Sequence, residues 1–224
     1  MRAPSHRSSR HHSAILALAL LVIGVAATPA PSAPPVDRSL PPKPAPTTTA
    51  PIALRVLSYN IRHGVGMDDV LDLERIARVI AAQRPDLVLL QEVDERVRRS
   101  GAVDQAAWLG DRLGMHHAFA PFMDYQGGRY GLAILSRSPI EASETIPLPP
   151  GQHEPRAALA ITTRPVAGTP PLRAVCVHFD WLDDDSRRMA QAEALVAAVS
   201  ASRGPVVVGG DFNDVLGSRT MKHC

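Results

Sequence analysis

The chain has 224 residues, 45% hydrophobic and 21% charged, a balance that fits one globular domain and excludes a disordered chain or a membrane bundle. Its formal charge of +2 rests on Arg2, Arg7 and Arg10, which fall in 1–27 with no acid beside them. The remainder is balanced to within one charge and lacks the polycationic footprint of a protein that grips nucleic acid over its whole surface.

The chain opens on the basic stretch "MRAPSHRSSRHHS" and an apolar run, "AILALALLVIGVAA", that ends in small residues. That is the pattern of a secretory signal over 1–27, with an uncleaved N-terminal anchor as the alternative. The run is shorter than the roughly 20 residues a bilayer span needs, so no transmembrane span is expected after cleavage. No cysteine follows it, so lipoprotein processing is not indicated. Residues 28–51 are rich in proline, alanine and threonine and read as a disordered linker. The folded domain is expected over 52–224.

Within it, "IALRVLSYN" reads as a strand. Leu73, Ile76, Ala77 and Ile80 follow helical spacing and predict an amphipathic helix from Leu73 to about Gln83, stopped by Pro85. "DLVLLQE" is a short continuous apolar run, typical of a strand covered on both faces. A second helix is expected at Gln105–Leu113, then strands at Tyr130–Ser136 and Ile140–Ile146 with a Ser138-Pro139 turn between them. "RAALAITT" and "LRAVCVHF" are two further strands around the turn-rich "RPVAGTPP". Asp183 to Ser186 offer caps for a helix with the stripe Met189, Ala192, Leu195, Val196 and Val199, and "PVVVGG" closes the set as a strand. Many strands with few helices argue for an α+β protein, its sheets packed face to face and its helices outside. The two cysteines, Cys176 and Cys224, make no disulfide framework; Cys176 sits in an apolar run and reads as a small core residue.

Four of these strands end on polar side chains. "RVLSYN" ends on Asn60, "LVLLQE" on Glu92, "RAVCVHFD" on His178 and Asp180, and "VVVGGDFN" on Asp211 and Asn213. Rigid strand ends hold such groups in fixed geometry. The oxygen donors of Glu92 and Asn60 suit a hard cation, Mg²⁺ before Zn²⁺, and no H-E-x-x-H pattern or cysteine cluster argues for zinc. In that set Asp211 can orient and deprotonate a water. Asn213 can hold Asp211 or donate to a phosphoryl oxygen, and His178 can donate to charge developing on phosphorus-bound oxygen. Gly209 and Gly210 would let backbone or substrate approach closely. Taken singly, each residue has a plainer reading. Asn60 can be a strand-end turn residue, Glu92 the first of a solvated charge run and His178 a core histidine; Asp211 with Asn213 can be an Asx-type turn. Their conjunction at four strand ends favours a site.

The blocks "LRVLSYNIRHG", "RPDLVLLQEVD", "YGLAILSRSPI", "VHFD" and "VVVGGDFND" resemble, in order, those of the endonuclease/exonuclease/phosphatase superfamily, the deoxyribonuclease-I-like phosphohydrolases. The resemblance spans Leu54 to Asp214. It implies a four-layer α/β/β/α sandwich and hydrolysis of a phosphoester with Mg²⁺ or Mn²⁺. By position it implies Glu92 as metal ligand, with Asn60 beside it on metal or phosphate, and His178 as the first active-site histidine. Asp211 and Asn213 would then place the attacking water and the phosphate. Arg156, in "EPRAAL", matches a recurrent arginine, against the plainer reading of a surface residue. The family's later aspartate-bearing strand and Ser-Asp-His block have no counterpart here, and the role of that second histidine is not carried onto His223. The resemblance therefore implies a sandwich without its C-terminal strands.

The expectation is an exported metal-dependent phosphodiesterase, secreted or periplasmic, with no stable protein partner. Its substrate would be nucleic acid, a phospholipid head group or a phosphorylated small molecule. The alternative is a catalytically impaired remnant that keeps the fold and metal or phosphate binding.

Overall fold

The computed structural model describes residues 53–224 and, as backbone, residues 19–23. The readings of 1–27 as an export signal and 28–51 as a linker thus lie outside the described residues, except for Ala19–Ile23. The structure places that stretch as a strand, β1, antiparallel to Leu54–Ser58. The sequence reading starts the fold only at 52; the difference arises because the outer edge of the next strand carries backbone groups that an apolar segment can pair.

Five strands form the first sheet: β1, β2 (Leu54–Asn60), β3 (Leu87–Glu95), β4 (His116–Tyr125) and β5 (Gly128–Ser136), in the order β1-β2-β3-β5-β4. The second sheet is β6 (Ile140–Leu148), β7 (Arg156–Thr163), β8 (Leu172–His178) and β9 (Val206–Asp211), in sequence order. Each sheet holds one parallel pair, β2 with β3 and β8 with β9. A parallel pair needs a crossover, and here it is a helix: α1 (Leu73–Gln83) in the first sheet and α3 (Ser186–Ser200) in the second. Helix α2 (Gln105–Leu113) joins α1 on the outside of the first sheet, and the short α4 (Arg219–His223) follows β9. Three of the helices start on side-chain caps: Asp72 accepts from Arg75 N at 2.8 Å, Asp104 from Ala107 N at 3.0 Å and Ser218 from Met221 N at 3.1 Å. At α3, within the expected Asp183–Ser186 stretch, the N-cap Asp185 makes no side-chain cap bond and Asp184 accepts from Ser186 N at 3.0 Å.

Alternation along the strands sorts the apolar side chains into three seams. Leu57, Val88, Leu90 and Leu135 pack under α1 and α2 with Ile76, Ile80 and Leu109. Leu87, Leu89, Ile134, Leu159, Ile161 and Cys176 fill the space between the sheets. Val175, Val177 and Phe179 meet Ala192 and Leu195 of α3. The layers are therefore α/β/β/α, and Cys176 is the core residue its apolar run implied. Strands apolar on both faces are what such a doubly covered stack requires. Among the described residues no helix is long and apolar enough to cross a membrane.

Strand β4 has no counterpart in the sequence reading. Its sequence, "HHAFAPFMDY", mixes histidines, a proline and half-buried positions, and its ladder shifts between Pro121 and Met123. It is an edge strand, where proline costs little.

Candidate active site

The two parallel pairs decide where the polar side chains meet. Because β2 runs with β3 and β8 with β9, the C-terminal ends of each pair lie together. In the second sheet His178 is directly opposite Asp211, and in the first Asn60 is opposite Gln91. Glu92 comes next, and it needs a device of its own. The β3–β5 register slips between Leu90 and Val93, and Glu92 sits at φ 57. This bulge adds a residue to the strand and takes Glu92 out of the alternation that puts Leu90 and Val93 under the helices.

Asn60 joins the sheets. Its Nδ2 donates to Glu92 Oε1 at 2.8 Å and to Asp211 Oδ2 at 3.1 Å, while its Oδ1 accepts from Arg62 N at 3.0 Å. Asp211 Oδ1 accepts from Asn213 N at 3.0 Å, and Asn213 Nδ2 donates to Phe179 O at 2.9 Å. The Asx turn and the site are thus the same object: one Asp211 oxygen makes the turn and the other faces Asn60. His178 Nε2 lies 4.0 Å from Asp211 Oδ2, beyond hydrogen-bonding range. All five expected site residues come together. Glu92 does not begin a solvated charge run, since Val93 and Asp94 behind it are buried and Asp94 is paired with Arg99 at 2.8 Å.

Burial governs the electrostatics. His178 is 6% exposed, and desolvation, helped by the Arg156 charge and opposed by Asp211 and Asp180, lowers its pKa to about 4. The ring is therefore neutral near pH 7, and its Nδ1 is buried without a partner. Arg156 is 4% exposed, not a surface arginine, and it pairs with Glu154 at 3.0 Å while its Nε is buried and unpartnered. Glu92 is pushed upward by burial, with Asp211 and Glu154 adding to the rise and the Asn60 hydrogen bond opposing it. Two unengaged donor positions and two carboxylates held close by one amide describe a place built for something more. Among the described residues no three His, Cys, Asp or Glu side chains are disposed to chelate a metal. The groups that do converge are the Glu92 and Asp211 carboxylates, both hard oxygen donors, with the Asn60 Nδ2 between them. They fit Mg²⁺ or Mn²⁺, which keep several waters and take few protein ligands.

Backbone strain gathers here as well. Arg62, His63, Glu92 and Asn213 all have positive φ, between 45 and 57, a region that costs non-glycine residues of order 1 kcal/mol or more each. The two glycines of "VVVGGDFN" serve packing instead of substrate approach. A Cβ on Gly210 would lie 2.1 Å from Val177 O, and one on Gly209 would lie 2.7 Å from Leu89 Cδ1.

Two site-supporting residues escape the sequence reading. Gln105, on α2, accepts from Asp94 N at 2.9 Å and donates to His63 O at 2.7 Å. Gln191, on α3, accepts from Asp180 N at 2.9 Å and donates to Pro149 O at 3.0 Å. Each is fully buried, and each ties a helix to the loop leaving a site-bearing strand. The available signal is a glutamine in the apolar stripe of an amphipathic helix. Asp180 is a loop organiser, accepting from Gln152 N at 3.1 Å and Trp181 N at 3.0 Å.

Comparison with known proteins agrees with this geometry. The model of the endonuclease/exonuclease/phosphatase family matches residues 57–223. The uncharacterised protein YbhP of Escherichia coli is 27% identical over 179 residues, which is 75% of this chain and 70% of that one. A solved endonuclease/exonuclease/phosphatase protein from Beutenbergia cavernae superposes with a TM-score of 0.60 at 28% identity, covering 75% of this chain. The present chain spans 50% of that protein's length. The human Nocturnin catalytic domain, solved with a bound sulfate anion, gives a TM-score of 0.60 at 24% identity, covering 76% of this chain and 67% of that one, a likeness of fold.

Proposed function

From the premise that the chain belongs to the endonuclease/exonuclease/phosphatase family, we propose that it is a metal-dependent phosphohydrolase acting on a phosphodiester. The observation that carries the reading is the Asn60 amide bridging Glu92 and Asp211 across the two sheets, with His178 Nδ1 and Arg156 Nε buried and unpartnered beside them. Glu92 would hold Mg²⁺ or Mn²⁺, and Asn60, whose Nδ2 faces Glu92 and Asp211, would stand beside it as a donor to the phosphate. When bound, such an ion withdraws charge from the phosphoryl oxygens.

The chain's own groups account for the rest. Asp211, fixed by Asn60 and by the Asn213 backbone N–H, orients a water and takes its proton as the water oxygen bonds to phosphorus. The ester P–O bond breaks, and the leaving oxygen departs with the electron pair and takes up a proton from solvent. His178, neutral near pH 7, offers an N–H to a phosphoryl oxygen where negative charge grows. The Arg156 Nε–H supplies a second donor, and Asn213 keeps the Asp211 turn closed through Phe179 O.

The test is hydrolysis of bis-nitrophenyl phosphate by the full chain with and without Mg²⁺ or Mn²⁺. Turnover should disappear with chelator and fall about 10²–10³-fold in His178→Ala, the scale for one transition-state donor. Metal-independent turnover, or full activity of His178→Ala, would sink the proposal. For the N-terminus the proposal is export, with 1–27 removed, the β1 strand Ala19–Ile23 leaving with it and β2 becoming the sheet edge, and with 28–51 leading to a domain over 52–224. N-terminal sequencing of exported protein that still began at Met1 would exclude it.

A further inference from the structure

Six large apolar side chains are exposed among the described residues: Met67, Val70, Leu71, Trp181, Val215 and Leu216. All six lie on three segments, 61–72, 179–185 and 212–218, which leave β2, β8 and β9. These are the strand ends that deliver Asn60, His178 and Asp211. Isolated exposed apolar residues are ordinary on a protein surface. Their gathering on segments that leave the strand ends of one polar site is not, since apolar surface rimmed by polar residues marks places where something docks. Leu216 is 92% exposed and Val215 73%, while Trp181 is 57% exposed and stacked on His153 at 6.2 Å between ring centroids.

Charge identifies the occupant. The three segments carry one arginine, Arg62, against eight aspartates, and no lysine; the segment 96–104, which leaves β3, adds Arg96, Arg98 and Arg99 and one aspartate, Asp104, with Arg99 paired to Asp94. Five of the eight aspartates are paired with helix arginines, as in Asp68 with Arg75 at 2.8 Å, Asp185 with Arg219 at 2.9 Å and Asp214 with Arg188 at 3.2 Å. The rim is therefore apolar and close to neutral, with a slight acidic excess. A polyanion such as DNA or RNA is gripped by cations, and its affinity depends on them. An anionic membrane likewise selects lysine and arginine. A zwitterionic lipid surface asks for neither. It takes up apolar side chains at the boundary between head groups and acyl chains, where an amphipathic indole is especially at home.

Resting on the phosphohydrolase reading above, we infer that the rim made by Met67, Trp181, Val215 and Leu216 seats the site on a zwitterionic phospholipid bilayer, where its substrate is the phosphodiester of a lipid head group. In that reaction water supplies oxygen to phosphorus and the departing alcohol oxygen leaves with a proton, so no further reactant is needed.

The chain has two tryptophans. Trp108 packs against the core beneath α2, so Trp181 is the one a bilayer can reach. The experiment uses the full chain with vesicles of brominated phosphatidylcholine. Tryptophan emission should be quenched in the wild type and hardly at all in Trp181→Phe. The pair Val215→Ser with Leu216→Ser should weaken vesicle binding about tenfold or more, the scale for withdrawing one or two apolar side chains from a lipid interface. It should leave turnover of soluble bis-nitrophenyl phosphate unchanged. Failure to bind vesicles overturns the inference. So does binding through another segment with Trp181 unquenched, or quenching by a single-stranded oligonucleotide in place of vesicles. Loss of soluble turnover in the wild type, with Trp181 quenching retained, instead overturns the phosphohydrolase reading and the substrate assignment with it.

Discussion

Asn60 bridges two carboxylates that would otherwise repel each other, and burial sharpens that repulsion at Glu92. Glu92→Gln removes one of the two charges and keeps the shape. Mg²⁺ affinity measured by calorimetry should fall, while the melting temperature should stay level or rise, because a buried carboxylate beside another is a cost to folding. Unchanged affinity would make Glu92 a residue of the rim only. His63 gives a second handle. Burial, with help from Arg99 and Arg62 against Asp94, lowers its pKa from 6.5 to about 4. A folded-state pKa below the unfolded one means that the unfolded chain binds the proton first. The neutral ring's contribution is therefore complete above pH 6.5, fades as pH falls toward 4, and changes no further below that. Glu92, shifted upward, works in the opposite direction, so the comparison must isolate His63. In urea unfolding, the wild type should lose ground to His63→Gln between pH 6.5 and 4. A constant difference across that range would mean that the ring titrates normally.

At the scale of elements, Gln105 and Gln191 do for the two helical layers what Asn60 does for the sheets. Replacing either with leucine leaves a backbone N–H and a backbone C=O without partners, at about 1–3 kcal/mol for each group. The losses should be separable by hydrogen exchange: the Asp180 amide should speed up in Gln191→Leu and the Asp94 amide in Gln105→Leu, each without the other. These two glutamines also mark the limit of what the sequence makes legible. Strands such as "LVLLQ" and "RAVCV" declare themselves through unbroken apolar runs, and α1 through its stripe and the Pro85 stop. The convergence of the five candidate residues is legible because each lies at or just past the end of such a run. Strand β4 is not, because its proline and histidines carry no period. The bulge that turns Glu92 is not, because it depends on the pairing of β3 with β5. The glutamines depend on partners at His63 and Pro149, each 42 residues away in the chain, and no local pattern announces such a distance.

At the scale of the whole molecule, Asn60 and Glu92 belong to one sheet and His178 and Asp211 to the other. What holds the two halves of the site in register is the apolar seam between them, and Leu89 occupies its key position. It lies three residues before Glu92 and fills the space over Gly209, two residues before Asp211. Leu89→Ala should cost about 2–5 kcal/mol in stability, as buried leucines do, and turnover per folded molecule should fall as well. Turnover that followed only the folded fraction would mean that the seam does not set the spacing. The protein is in this sense a caliper, with a sheet for each jaw and the Asn60–Asp211 distance of 3.1 Å as its gap. Small slips of one jaw against the other are read out as chemistry long before either comes apart. Hydrostatic pressure, which works on packing voids, should therefore abolish the proposed phosphodiester turnover at pressures where both sheets are still intact.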